Sequence, residues 1–170
     1  MIKTKVIVQN AILVTVALAL SYIERFIPLQ LLIPLPGVKL GLANIVTLIA
    51  LYALGTKQAF WIVILRCTLG SVFGGGITGL LFSLTGGILS MVTMSLCKRS
   101  SLFSVYGISI LGAAVHNIGQ VAVAMVLMQS IHIGLYLAYL LGVALFTGFA
   151  TGAACAGVLR VLKKANISLT

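Results

Sequence analysis

The stretch AFWIVILRCTLGSVFGGG, Ala59 to Gly76, carries one charge, Arg66, with apolar residues for several positions on either side. The same character extends outward in both directions. Of the 170 residues 61% are hydrophobic and 7% charged, where a soluble domain carries about a quarter charged residues. So large an apolar excess has to face lipid, and the sequence is that of an integral membrane protein. The few charges then punctuate the chain, and the runs between them give the spans.

Val6 to Ile23 is a run of 18 residues without charge, and 17 more lie between Lys39 and Lys57. Between Lys57 and Lys98 stand 40 residues broken only by Arg66, and Ser100 to Leu159 adds 60 without Lys, Arg, Asp or Glu. A spanning helix takes about 20 residues, so these runs hold one, one, two and two helices. The expected fold class is all-α: a polytopic membrane protein, one transmembrane domain over 1–170. Its six transmembrane helices are expected at about 6–27, 40–55, 57–74, 77–97, 105–129 and 133–161.

The net charge of +10 would suggest nucleic acid in a soluble protein, but its distribution here is topological. Six spans put both termini on one side, together with Lys3, Lys5, Lys57, Lys98, Arg99, Arg160, Lys163 and Lys164. The other side holds Arg25 and Lys39. Cationic loops stay in the cytoplasm, which predicts cytoplasmic termini in a multi-pass cell-membrane protein, with the lipid bilayer rather than nucleic acid as its partner. A cleaved leader is a second way to read the start, from Lys3, Lys5 and the small residues at Ala17–Ala19. Against it, the apolar run continues past that point, and cleavage would leave five spans and spoil the asymmetry.

Helix 1 leads into an outer loop, PLQLLIPLPGVKLG, holding all three prolines, Pro28, Pro34 and Pro36. Proline restricts its own φ and the preceding residue, so the loop is expected to be extended, stiff and apolar, lying on the molecule as a lid. Gly74 to Gly76 are expected to form a tight outer turn. Gly148 and Gly152, and the stripe Gly79, Ser83, Gly87 and Ser90, have the spacing that lets membrane helices approach closely.

Absences exclude several chemistries. Glu24 is the chain's single carboxylate side chain and there is no Asp. A paired-carboxylate hydrolase, an Asp-rich magnesium site and a Ser-His-Asp triad are therefore excluded. LGSVFGGGITG lacks the Lys-Ser/Thr ending of an ATP-binding loop. Cys67, Cys97 and Cys155 have no paired spacing and read as small buried residues. No catalytic residue, metal site or cofactor is expected, and the chain is not expected to be an enzyme by itself.

Arg66 lies nine residues beyond Lys57, about 13 Å along a helix and so near the middle of the membrane. An arginine there costs roughly 2.5–3.5 kcal/mol on insertion scales and usually faces a partner or a cavity. Two readings stand: a structural ion pair with Glu24, for which Arg25 competes, or a ligand. In AVHNIGQ, His116 and Gln120 share a helix face, with Asn117 about 100° round. Three polar residues at this depth are either interhelical hydrogen bonds or the lining of a polar site. Lys39 and Asn44, in PGVKLGLANI, are candidates to complete it from the outer side. Such a lining with apolar walls favours an anionic or strongly hydrogen-bonding ligand with apolar parts. His132 reads as exposed.

PGVKLGLANIVTLIALY (Pro36–Tyr52), RCTLGSVFGGGITGLLFSLTGG (Arg66–Gly87) and AVHNIGQ (Ala114–Gln120) resemble the membrane family called heptaprenyl diphosphate synthase component I, or the Gx transporter family. The resemblance covers about residues 6–160. Six helices, an outer lid and small size are also similar to the substrate-binding S components of energy-coupling-factor (ECF) vitamin transporters. The usual prenyl diphosphate synthases hold magnesium and diphosphate on Asp-rich motifs, which this chain cannot supply. The S-component likeness implies a substrate-binding subunit of an importer in a bacterial cell membrane, taking up a vitamin, cofactor precursor or isoprenoid-like compound. It also implies a transmembrane coupling (T) subunit and two ATPase subunits as partners. Helix 1 of S components meets the coupling subunit through small residues spaced by four, here Ala11, Thr15 and Ala19, with Thr15 departing from alanine. The alternative that the family name implies is a non-catalytic membrane subunit of prenyl diphosphate synthesis, and a purely structural scaffold is the third.

Overall fold

The computed structural model describes residues 2–26, 39–100 and 102–165, and no strand occurs among them. Six α-helices follow one another: α1 (Ile2–Ile23), α2 (Asn44–Ala53), α3 (Thr56–Gly70), α4 (Gly76–Arg99), α5 (Val105–Leu127) and α6 (Tyr136–Lys164). Short 3-10 turns at Glu24–Phe26 and Ile131–Leu135 end α1 and open α6. The proline-rich stretch expected as a lid falls on 27–38 and lies outside the described residues.

Among the described residues four stretches are long and apolar enough to cross a membrane: Thr4–Ile23, Thr56–Arg99, Val105–Leu127 and Ile131–Lys164. The second is bent back on itself. At Phe73 and Gly74 the backbone leaves the helical region, Gly74 at φ 112°, and α3 and α4 pack against each other. Only glycine takes that φ without strain, so the turn occupies Ser71–Gly75 and α3 stops at Gly70, four residues short of the expected 74. With α3 and α4 separated, the chain is an all-α membrane protein in which the short α2 reverses the chain between α1 and α3.

α2 differs most from expectation. It has ten residues, Asn44–Ala53, rather than the sixteen of 40–55. It therefore rises about 15 Å, half of a hydrocarbon core about 30 Å thick. Lys39 and Leu40 are non-helical and Gly41 has φ 82°, a conformation that ends helical continuity for any residue with a side chain. Irregular backbone at such depth survives only where protein or a cavity surrounds it, and here Lys39–Gly41 is packed among the helices.

The surface explains the composition. Large apolar residues lie open along every long helix, among them Ile12, Trp61, Ile77, Leu96, Val126 and Phe146. Beneath them is a core of Ala17, Leu48, Leu51, Ile62, Val63, Met94 and Cys155, with a smaller cluster of Phe82, Val121, Ala124 and Leu140 near the start of α6. Small residues bring helices together. A Cβ on Gly148 would stand 2.6 Å from Ile110 Cα, and one on Gly86 would stand 2.9 Å from the His116 carbonyl oxygen. Gly87 faces Val63 and Arg66, so the α4 stripe seats α3 as well as α5. Lys57, Lys98 and Arg99 gather at one end of this bundle, and the Ser71–Gly75 turn marks the other.

Candidate functional site

The polar residues buried between α1, α3, α4 and α5 meet near the turn end of the bundle. Glu24, Lys39, Arg66, Ser83 and His116 line a small cavity there with backbone of Gly70, Gly75 and Gly79. Its volume of about 20 Å³ is room for about one water.

Each side chain is held from a different element. Glu24, 4% exposed at the end of α1, accepts a 2.5 Å hydrogen bond on Oε1 from the Gly41 N–H. Lys39 enters from the non-helical stretch: its Nζ donates to Ser83 Oγ at 3.0 Å and its backbone N–H to Gln120 Oε1 at 3.2 Å. The Lys39 bond fixes the Gln120 amide, whose Nε2 then donates to His116 Nε2 at 3.1 Å. With Nε2 accepting, the proton of neutral His116 is assigned to Nδ1, which faces Gly86. Gly41 also has to be glycine for space, since a Cβ there would stand 3.0 Å from Asn44 Nδ2 and 3.1 Å from the His116 ring.

Arg66 is the deepest cation, 6% exposed, and its Nη2 donates to Asn44 Oδ1 at 2.9 Å. That bond orients the Asn44 amide and leaves Asn44 Nδ2 buried with no partner among the described residues; Arg66 Nε is in the same condition. Both orphans are donors. A buried donor left unpaired costs about 1–3 kcal/mol, so the pair is poised for an acceptor. Electrostatics point the same way: the cavity holds one carboxylate against two cations, Lys39 and Arg66, both of which act on Glu24. The hydrogen bond that Arg66 itself makes runs to Asn44 on α2.

Of the residues singled out from sequence, Arg66, Lys39 and His116 line the cavity, while Asn44 and Gln120 stand behind them as supports. Asn117 is placed elsewhere. The 100° step turns it to α6, where Nδ2 donates to the Leu140 carbonyl at 2.8 Å, an interhelical bond outside the cavity. Sequence reading missed Glu24 as a lining residue and Ser83 as the partner of Lys39. The signal for Glu24 was its uniqueness as a carboxylate, and Ser83 was visible only as packing. Ala11, Thr15 and Ala19 lie on the open face of α1, with Thr15 Oγ1 donating back to the Ala11 carbonyl at 2.9 Å. Among the described residues no group of three His, Cys, Asp or Glu could hold a metal ion.

No curated protein and no solved structure gives a match to this chain. Residues 13–158, most of the chain and all of the site, match the family described as heptaprenyl diphosphate synthase component I. The chain belongs to that family.

Proposed function

We propose that the protein is the substrate-binding subunit of an ECF-type importer, and that it captures a small, partly apolar anion such as a vitamin, cofactor precursor or isoprenoid-like compound. The observation that carries this reading is Arg66, buried within the bundle with an unpaired Nε–H beside the unpaired Asn44 Nδ2. A structural arginine in lipid pairs its donors internally; one that keeps a donor free at this depth is set for a ligand. The ligand's charged group meets Arg66, with His116 and Gln120 orienting it.

Because the cavity has room for about one water, entry of a ligand requires Lys39–Gly41 to withdraw. Lys39 then leaves Ser83 and Gln120, and Gly41 leaves Glu24, freeing three polar residues for the incoming compound. α1 offers Ala11, Thr15 and Ala19 as the surface for a T subunit, which couples the chain to two ATPase subunits on the cytoplasmic side. Both termini lie on that side by the charge asymmetry.

The family description favours a second reading, in which the chain holds or delivers a prenyl diphosphate for a synthase in another subunit. The chain's lack of Asp leaves room for binding but none for the metal-dependent chemistry. Extraction of the tagged chain from its native membrane in mild detergent separates the two. A coupling protein with two ATPases in the eluate supports the importer; a prenyl synthase in their place refutes it. For the site, Arg66→Gln is expected to weaken binding of the co-purifying anion by roughly 10- to 100-fold, the worth of a charge-assisted hydrogen bond. Unchanged affinity removes Arg66 from the site.

A further inference from the structure

The end of the bundle opposite the polar cavity carries a second, unrelated feature. Between the first turns of α3 and the last turns of α4 runs an open groove of about 460 Å³. Its floor is tied by the Thr56 and Ser95 hydroxyls, 3.2 Å apart. Its walls are Phe60, Val92 and Leu96, 38%, 44% and 59% exposed, and its mouth is flanked by the exposed cations Lys57 and Arg99.

Lys98, the neighbour of Arg99, is engaged elsewhere. Lys98 Nζ donates to the Leu51 carbonyl at 2.7 Å and sits 4.8 Å above the Tyr52 ring, closing the C-terminus of α2. Lys57 and Arg99 lie far from any acidic side chain, because the chain has one acid, Glu24, and it is buried at the other end. Two cations at the rim of an apolar trough complement an anion with an apolar tail. From Arg99 to Val92 the groove follows α4 for about 10 Å. Its volume equals roughly one turn of an α-helix with its side chains. That is too little to seat a partner helix along its length, and enough for a phosphate and the upper part of one acyl chain.

We propose that this groove is a binding site for an anionic phospholipid, with the phosphate between Lys57 and Arg99 and an acyl chain over Phe60, Val92 and Leu96. The site is independent of the ligand cavity. It gives the α3–α4 pair a fixed lipid at the membrane boundary where cationic side chains attract anionic leaflets.

The test is native mass spectrometry of the delipidated full chain, titrated with phosphatidylglycerol and with phosphatidylcholine of identical acyl chains. Phosphatidylglycerol is expected to bind roughly thirtyfold more tightly, about fivefold for each cation near a membrane surface. Lys57→Gln with Arg99→Gln should abolish that preference. Leu96→Trp, with both cations intact, should weaken phosphatidylglycerol by filling the trough. Thermal unfolding in detergent checks that both variants fold, and the wild-type comparison of the two lipids decides even if neither does. Equal binding of the two lipids, or a preference that survives the double substitution, overturns the proposal. Glycerol phosphate binding as tightly as phosphatidylglycerol overturns the groove's part in it. Crosslinking of Val92→Cys to a polypeptide rather than lipid in native membranes assigns the groove to a protein and overturns the lipid.

Discussion

Alanine at Gly148 is expected to destabilise the bundle while alanine at Gly142, on the same helix, does not. The new methyl at 148 would stand 2.6 Å from Ile110 Cα and 3.1 Å from Ile110 N, both backbone atoms of α5, whereas nothing lies within 4 Å of a Cβ at 142. Carbon atoms rest about 3.5–4.0 Å apart, so α6 has to move away by about 1 Å. Overpacking of this kind costs about 1–3 kcal/mol. The movement also stretches two buried seam bonds, Ser109 to Thr151 and Asn117 to the Leu140 carbonyl, each 2.8 Å. Interhelical bonds in membranes are worth roughly 0.6 kcal/mol apiece. Both substitutions gain the same ~1 kcal/mol of helix propensity over glycine, which cancels in their difference. The expected gap is about 2–4 kcal/mol, or roughly 5–15 °C between the two unfolding midpoints for a chain of this size. Thermal unfolding in one detergent, followed by the reactivity of the buried thiols Cys67 and Cys155, reads it. Equal midpoints for the two variants would mean that α5 and α6 do not approach as closely as described, and the packing argument would fail.

Three further outcomes follow from single contacts. Glu24→Gln keeps an acceptor for the Gly41 N–H but removes the one negative side chain of the cavity. It should therefore tighten binding of the co-purifying anion several-fold, opposite in sign to Arg66→Gln; calorimetric titration of both variants reads the pair, and weakening by both would point to a zwitterion instead. Lys98→Met loses the Leu51 carbonyl bond and the Tyr52 contact and should cost about 1–2 kcal/mol for this half-exposed group, seen as a lower unfolding midpoint with ligand affinity unchanged. Thr151→Val removes the Ser109 partner on α6 and should lower the midpoint by a few degrees at most, since the Ser109 hydroxyl remains near the membrane-worth of a single bond.

The helices were legible because charges in a membrane chain are expensive and so mark ends. Lys57, Lys98 and Arg99 stand where α3 begins and α4 finishes. Arg66 was legible as an anomaly for the same reason. What could not be read was partnership across the fold. Lys39 meets Gln120 from 81 positions away and Ser83 from 44, and neither spacing has a local signature. The direction of Asn117 was open because a polar residue at that depth serves a seam as well as it serves a cavity. The shortness of α2 was hidden too, since Leu40–Ala43 is as free of charge as the helix that follows. Only the positive φ of Gly41 sets it apart.

A hollow inside a membrane protein is a weak point in an insulator, and α2 spans only half of that insulator. The stretch Lys39–Gly41 fills the weakness from within: it offers the site an ammonium and two backbone donors in place of a guest. An unladen molecule consequently needs no water column to solvate Glu24, Ser83 or Gln120, and ions gain no stepping stones across the bilayer. On the proposed reading cargo and plug would exchange places, and the barrier would be kept whether the protein is full or empty.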